Sequence, residues 1–213
     1  ILSGAGVVIG DAINETKKLA EKLDSPVCSG YQHNDSFPGS HPLAVGPLGY
    51  NGSKAAMELI SKADVVLALG TRLNPFSTLP GYGIDYWPKN ANIIQVDMNP
   101  DRIGLTKKVT VGIAGDAKQV AKQILDKLSS NAGDSGRESR KNLIHQTKSA
   151  WLQTLTSLDH EDDDPGTVWN KEARERDKDR MSPRQAWRAI QAAMPEDAII
   201  SSDIGNNCAI GNA

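Results

Sequence analysis

A chain of 213 residues has room for one large domain, or for one domain and part of another. With 38% hydrophobic residues, 23% charged residues and a formal net charge of −2, it reads as a soluble globular protein; that balance excludes a basic nucleic-acid surface and an acidic block for a cationic partner. Its two cysteines, Cys28 and Cys208, lie too far apart for a zinc motif or a disulfide framework, and no apolar run nears the roughly 20 residues a membrane span requires. A reducing cytoplasm is the expected setting, with both thiols as small buried groups.

Ile1 and Leu2 read as the end of a strand that enters a glycine turn, Gly4-Ala5-Gly6. Leu19, Ala20 and Leu23 fall at helical spacing and predict a helix over residues 12–23. Pro26-Val27-Cys28 reads as a short strand, and a loop rich in Gly, Pro, Ser and His is expected over 29–51. Ala56, Met57, Leu59 and Ile60 line one side of a helix predicted over 53–62. From Asp64 to Leu69 the run Val-Val-Leu-Ala-Leu is apolar without alternation, the pattern of a parallel strand buried on both faces; Ile93-Ile94-Gln95-Val96 repeats that pattern and ends in Asp97. A weaker strand is expected over 108–111. It is followed by Gly115-Asp116 and a helix to about Leu128, whose stripe is Val120, Ala121, Ile124, Leu125 and Leu128.

Composition shifts to Ser, Asn, Gly and Asp over 129–136, which marks a domain boundary. A helix is expected over 142–158, with Trp151, Leu152 and Leu155 on one side, and then a charged connector. Ser182 as N-cap and Pro183 at the first helical position open another helix, with Ala186, Trp187, Ile190 and Met194 as its stripe. A strand over 198–203 and the turn Ile204-Gly205-Asn206-Asn207 follow. Strands alternating with helices specify an α/β fold: a doubly wound parallel sheet, Rossmann-like, followed by the start of a second α/β domain. The expected division is 1–130, a connector over 131–180, and 181–213. Both ends read as cut.

Several residues admit two readings. Gly4-Ala5-Gly6, with Gly10 one place beyond the dinucleotide fingerprint, is either a turn that approaches a pyrophosphate or a tight strand-to-helix turn that needs glycine. Asp97 either takes a ribose hydroxyl or caps the next turn, a part Asp101 could also play; Asp116 is fully accounted for as an N-cap. Arg72, just after Gly70, suits a phosphate or carboxylate, and an ion pair with an acidic neighbour is its plainer role. His33 and His41 lack metal-type spacing. The loop over 73–87 holds four aromatics, Phe76, Tyr82, Tyr86 and Trp87, in a chain only 5% aromatic, as a contact surface would. No nucleophile elbow, Walker loop or paired-carboxylate motif is present.

The strings Gly30-Tyr31-Gln32-His33-Asn34-Asp35-Ser36-Phe37-Pro38-Gly39-Ser40-His41-Pro42, Gly46-Pro47-Leu48-Gly49-Tyr50-Asn51-Gly52, and Gly70-Thr71-Arg72-Leu73-Asn74-Pro75-Phe76-Ser77 through Tyr86-Trp87-Pro88 resemble the middle domain of thiamine-diphosphate enzymes, in particular the sulfoacetaldehyde acetyltransferase group. The resemblance implies that sulfoacetaldehyde and phosphate become acetyl phosphate and sulfite in a cytoplasmic homo-oligomer, dimer or tetramer. It implies thiamine diphosphate and magnesium as cofactors, with the activating glutamate and the magnesium motif outside this chain, so the chain alone is expected to be inactive. Ile204, Gly205, Asn206 and Asn207 would contact the cofactor diphosphate: the glycine lets the backbone approach, and the amides donate to phosphate oxygens; the alternative is that Asn206 and Asn207 only cap the next helix. Acetolactate synthase has Gln-His at Asn206-Asn207, and Met-His at Tyr50-Asn51. Flavin-binding relatives hold FAD through turns matching Gly4–Gly6, 48–52, 70–72, Asp97 and Asp116; FAD is not expected here. An acetolactate synthase-like lyase or ligase, and a non-catalytic nucleotide-binding module, are the rival readings.

Overall fold

The computed structural model describes residues 1–128, 136–157, 181, 183–195, 197–201 and 205. Two compact units divide the chain, Ile1–Trp151 and Leu152–Ala213. In the first, six parallel strands are β1 (Leu2–Ser3), β2 (Val27–Ser29), β3 (Ala44–Pro47), β4 (Val65–Leu69), β5 (Asn92–Asp97) and β6 (Val111–Ala114). They lie in the order β3-β2-β1-β4-β5-β6, so the winding reverses between β1 and β4. This is the doubly wound sheet expected from the alternation of strand and helix, and its carboxyl edge at the reversal is where such sheets bind ligands.

Helices α1 (Ala5–Ile9), α2 (Ile13–Leu23), α3 (Lys54–Ile60) and α4 (Ala117–Lys127) connect or follow the strands. Each face of the sheet has its own core. Val66 and Ala68 of β4 face Leu48, Met57 and Ile60, while Leu67 and Leu69 face Val7, Leu19, Val120 and Ala121. The unbroken apolar run of β4 thus serves two cores, as a strand buried on both faces must; only Val65, at its start, is half exposed. The α4 stripe docks as expected: Val120 and Ala121 are buried, and Ile124, Leu125 and Leu128 pack against the same core.

Four elements differ from the sequence reading. The turn after β1 is Gly4 alone, and α1 starts at Ala5. The expected loop over 29–51 contains β3, whose only fully buried position is Val45; four residues with one core-facing side chain leave little periodicity to detect. The last strand lies at 111–114 rather than 108–111, because register with β5 pairs Ile94 with Val111 and Asp97 with Ala114. The helix expected from 142 is α5 (Arg137–Ser157), which starts five residues earlier, where Arg137 and Arg140 bond the end of α2.

In the second unit, α6 (Pro183–Ala193) begins at the proline expected to open it, with Ala186 and Trp187 half buried. Ser182 lies outside the described residues. Of the strand expected over 198–203, residues 198–201 form none, and Ile199 is 98% exposed. A parallel strand takes its backbone partners from neighbouring strands, and no strand of this unit is among the described residues.

Candidate functional site

Five strand ends converge on a cleft of about 470 Å³ at the carboxyl edge of the first unit. It collects many of the residues singled out in the sequence: Gly4, Gly6, Gly10, His33, Gly70, Arg72, Asp97 and Asp116. They come from distant parts of the chain and meet because parallel, right-handed crossovers bring every strand's carboxyl end to one side.

The glycines hold the floor of this cleft together. The Gly4 N–H donates to Leu69 O at 3.1 Å and the Gly6 N–H to Gly70 O at 2.8 Å. A Cβ on Gly6 would stand 2.7 Å from the Gly70 Cα, and one on Gly4 would stand 2.6 Å from the Thr71 Cβ. Gly70 also has φ +61°, where side chains are strained. Two backbones therefore approach as closely as backbones can, which accounts for glycine at 4, 6 and 70 without a ligand.

Both acids are engaged in turns. Asp97 Oδ1 accepts the Asn99 N–H at 2.9 Å, and Asn99 in turn caps the next turn by accepting the Asp101 N–H at 3.0 Å. The capping role of Asp97 is thus observed, and Asp101 is capped rather than capping. Asp116 N-caps α4 through the Gln119 N–H at 3.0 Å, as the sequence implied.

Arg72 corrects an expectation. It is exposed, and among the described residues it makes no ion pair; only its carbonyl is engaged, by the Thr106 hydroxyl at 3.2 Å. Arg102 lines the same cleft, likewise exposed and without an ion pair among the described residues. Their backbones are held by Gln95, buried in the middle of β5. Its Nε2 donates to Thr71 O at 3.1 Å and to Arg102 O at 3.3 Å, and its Oε1 accepts the Gly104 N–H at 2.9 Å. A buried amide with all these partners satisfied costs little and fixes both loops. The polar residue inside an otherwise apolar strand was the available signal. Exposed Ile9 and Met98 add an apolar rim. The arrangement suits an anionic ligand with an apolar part.

The remaining candidates divide. His41 lies away from the cleft: Nε2 meets Glu21 Oε1 at 3.2 Å, and Nδ1 accepts the Leu43 N–H at 3.2 Å. Cys28 is buried, and desolvation pushes its thiol up to about 11, as expected of a small core group rather than a nucleophile; Cys208 lies outside the described residues. The aromatic loop is split. Tyr86 is 1% exposed and belongs to the core, and Trp87 packs against it. Phe76 and Tyr82 are 60% and 51% exposed, with the Tyr82 hydroxyl donating to Gly52 O at 2.9 Å. The Tyr50 N–H donates to Phe76 O at 2.9 Å, so the strings over 46–52 and 70–77 form one surface.

Of the turn expected to hold a diphosphate, Ile204, Asn206 and Asn207 lie outside the described residues. Gly205 has φ +123°, and no described atom lies within 4 Å of where its Cβ would stand. That backbone fits a turn a ligand can approach closely. Among the described residues there is no group of three His, Cys, Asp or Glu side chains that could hold a metal, and no helix long and apolar enough to cross a membrane.

Residues 1–124 match the family model described as thiamine pyrophosphate enzyme, central domain. The chain is 80% identical, over its whole length, to a probable sulfoacetaldehyde acetyltransferase of Rhizobium meliloti (strain 1021), covering 36% of that protein. It is 75% identical, again over its whole length, to a sulfoacetaldehyde acetyltransferase of Roseovarius nubinhibens, covering 35% of it. A probable acetolactate synthase large subunit of Methanocaldococcus jannaschii is 39% identical over 60% of the chain, which spans 21% of that protein. The chain thus spans about a third of the length of the first two relatives.

Proposed function

The chain belongs to the thiamine pyrophosphate enzymes, whose central domain its residues 1–124 match, and from that premise we propose that it is part of an acyltransferase turning sulfoacetaldehyde and phosphate into acetyl phosphate and sulfite. The observation that carries this reading is the contrast in identity: 80% and 75% over the whole chain to relatives so named, against 39% over 60% to an acetolactate synthase. The strings over 46–52 and 70–77 and the first residues of the one over 30–42 support it, since they lie at the carboxyl edge, where side chains serve ligands or partners.

On this reading residues 1–130 are the middle domain, 131–180 the connector, and 181–213 the start of the diphosphate-binding domain. Thiamine diphosphate, when bound, supplies the chemistry at the aldehyde carbon. Ile204, Gly205, Asn206 and Asn207 bind and orient its diphosphate: Gly205 yields room for the backbone, and the two amides donate to phosphate oxygens. The magnesium ligands and the activating glutamate belong to parts of the protein outside this chain. The protein works without flavin, as a cytoplasmic homo-oligomer whose partner surfaces include the exposed Phe76 and Tyr82.

The test uses the full-length protein with thiamine diphosphate, magnesium, phosphate and sulfoacetaldehyde. Acetyl phosphate and sulfite in equal amounts are expected; acetolactate from pyruvate instead, with flavin absorbance in the purified protein, would overturn the reading. Asn206→Ala should weaken thiamine diphosphate binding roughly three- to hundredfold, the span from one lost neutral hydrogen bond to one lost hydrogen bond to a charged group. Unchanged cofactor titration would return this turn to a capping role.

A further inference from the structure

Helix α5 is attached to the first unit in an unusual way. Up to Trp151, where that unit ends, only Ile144 and Thr147 among its side chains are buried, and Leu143 is partly so. Leu143 and Ile144 meet the sheet beside a surface groove lined also by Leu59, Ile60, Val66 and Ile1.

Its polar contacts converge on one place, the carboxyl end of α2. Arg137 donates to Lys22 O at 2.7 Å, and Arg140 to Leu23 O at 2.9 Å and Asp24 O at 3.0 Å. These are carbonyls that a helix end leaves without intrahelical partners, at the negative pole of its dipole, where cations are favoured. Asp24 completes the cluster. It holds φ +46° at the C-cap of α2, and its carboxylate, nearly buried, accepts from the Arg137 guanidinium and pairs with Lys141 at 3.5 Å. At the far end the hold is lighter: Lys148 donates to Pro42 O at 2.8 Å, and Trp151 stands edge-on to Tyr82 with centroids 5.3 Å apart.

We propose that the part of α5 up to Trp151 is a strap that detaches from the sheet as one unit, and that the Asp24 carboxylate is the pivot on which its attachment depends. The strap carries the chain to the point where the first unit ends, so the state of this pivot decides whether that point is held or free.

Asp24→Asn isolates the charge, because asparagine tolerates the left-handed backbone and keeps the size of the side chain. Hydrogen exchange is measured on the full-length protein, wild type and variant. The amides of 137–151 are expected to exchange roughly ten- to hundredfold faster in the variant, the range for a lost charged hydrogen bond, while β4 and β5 stay as protected as before. Unchanged exchange over 137–151 overturns the proposal, since apolar contact alone would then hold the helix. Equal loosening of β4 and β5 also overturns it, since α5 would then be an inseparable part of the core.

Discussion

The two edges of one sheet use arginine in opposite ways. At the amino edge, Arg137 and Arg140 spend their donors on carbonyls and on Asp24, fixing α5 to α2. At the carboxyl edge, Arg72 and Arg102 have no ion pair among the described residues and stand free over a cleft, their backbones held instead by buried Gln95. The same side chain is a structural clamp where acceptors are left over from a helix end, and an exposed cleft-lining group where backbone acceptors are already satisfied. A free guanidinium beside an open cleft is thus a better pointer to function than a paired one.

The largest effect should come from breaking the floor of the carboxyl edge. Gly70→Ala places a Cβ against Gly6 at a backbone with φ +61°, and strain and overpacking together should cost about 2–5 kcal/mol. Urea unfolding of the full-length protein measures it; a cost under about 0.5 kcal/mol would show that the two turns have room to separate.

Gln95→Leu comes next. It leaves two carbonyls and the Gly104 N–H without their buried partner, so a loss of about 2–3 kcal/mol is expected, with weaker anion binding as the loops bearing Arg72 and Arg102 loosen. At the opposite edge, Ile144→Ala should cost about 2 kcal/mol, the low end for a buried isoleucine because few side chains of α5 are buried beside it. Equal costs at the two sites would erase the distinction between an edge tied by a buried amide and one covered by a lightly buried helix.

Cys28 gives a pH signature beneath the strap. Its thiol ordinarily titrates at 9.0, and burial pushes it up to about 11, so the unfolded chain ionises first. The stability contributed by the neutral thiol is full below pH 9 and is lost as pH rises from about 9 to 11. Denaturation midpoints compared between wild type and Cys28→Ala across that window check the sign: the wild type should lose its advantage on the alkaline side.

The smallest expected change is in the stability of Arg72→Ala, within about 0.5 kcal/mol because its side chain has no ion pair among the described residues. Its effect should appear in binding, as weaker retention of an anionic ligand such as inorganic pyrophosphate, read by calorimetry. A clear loss of stability instead would mean that the side chain has a structural partner after all.

Much of this molecule was legible in its sequence because periodicity records which side of an element faces a core. The unbroken apolar run of β4, the apolar run of β5 interrupted at Gln95 and the stripe of α4 marked the parallel sheet and its helices in the sequence. The loop strings named a family because such segments are free of the packing demands that make strands of unrelated proteins look alike. Glycines at 4, 6 and 70, acids at 97 and 116 and an arginine at 72 marked the cleft individually. Their partners could not be read, since pairing between residues far apart in sequence depends on which strand lies beside which. Only the tertiary structure decided that Gly6 meets Gly70, that Arg72 stays free while Arg137 and Arg140 are tied down, and that β6 begins at Val111. Only it showed that one glutamine inside a strand holds two loops. Local pattern reports burial; register and the meeting of strand ends are set by the crossing of the whole chain.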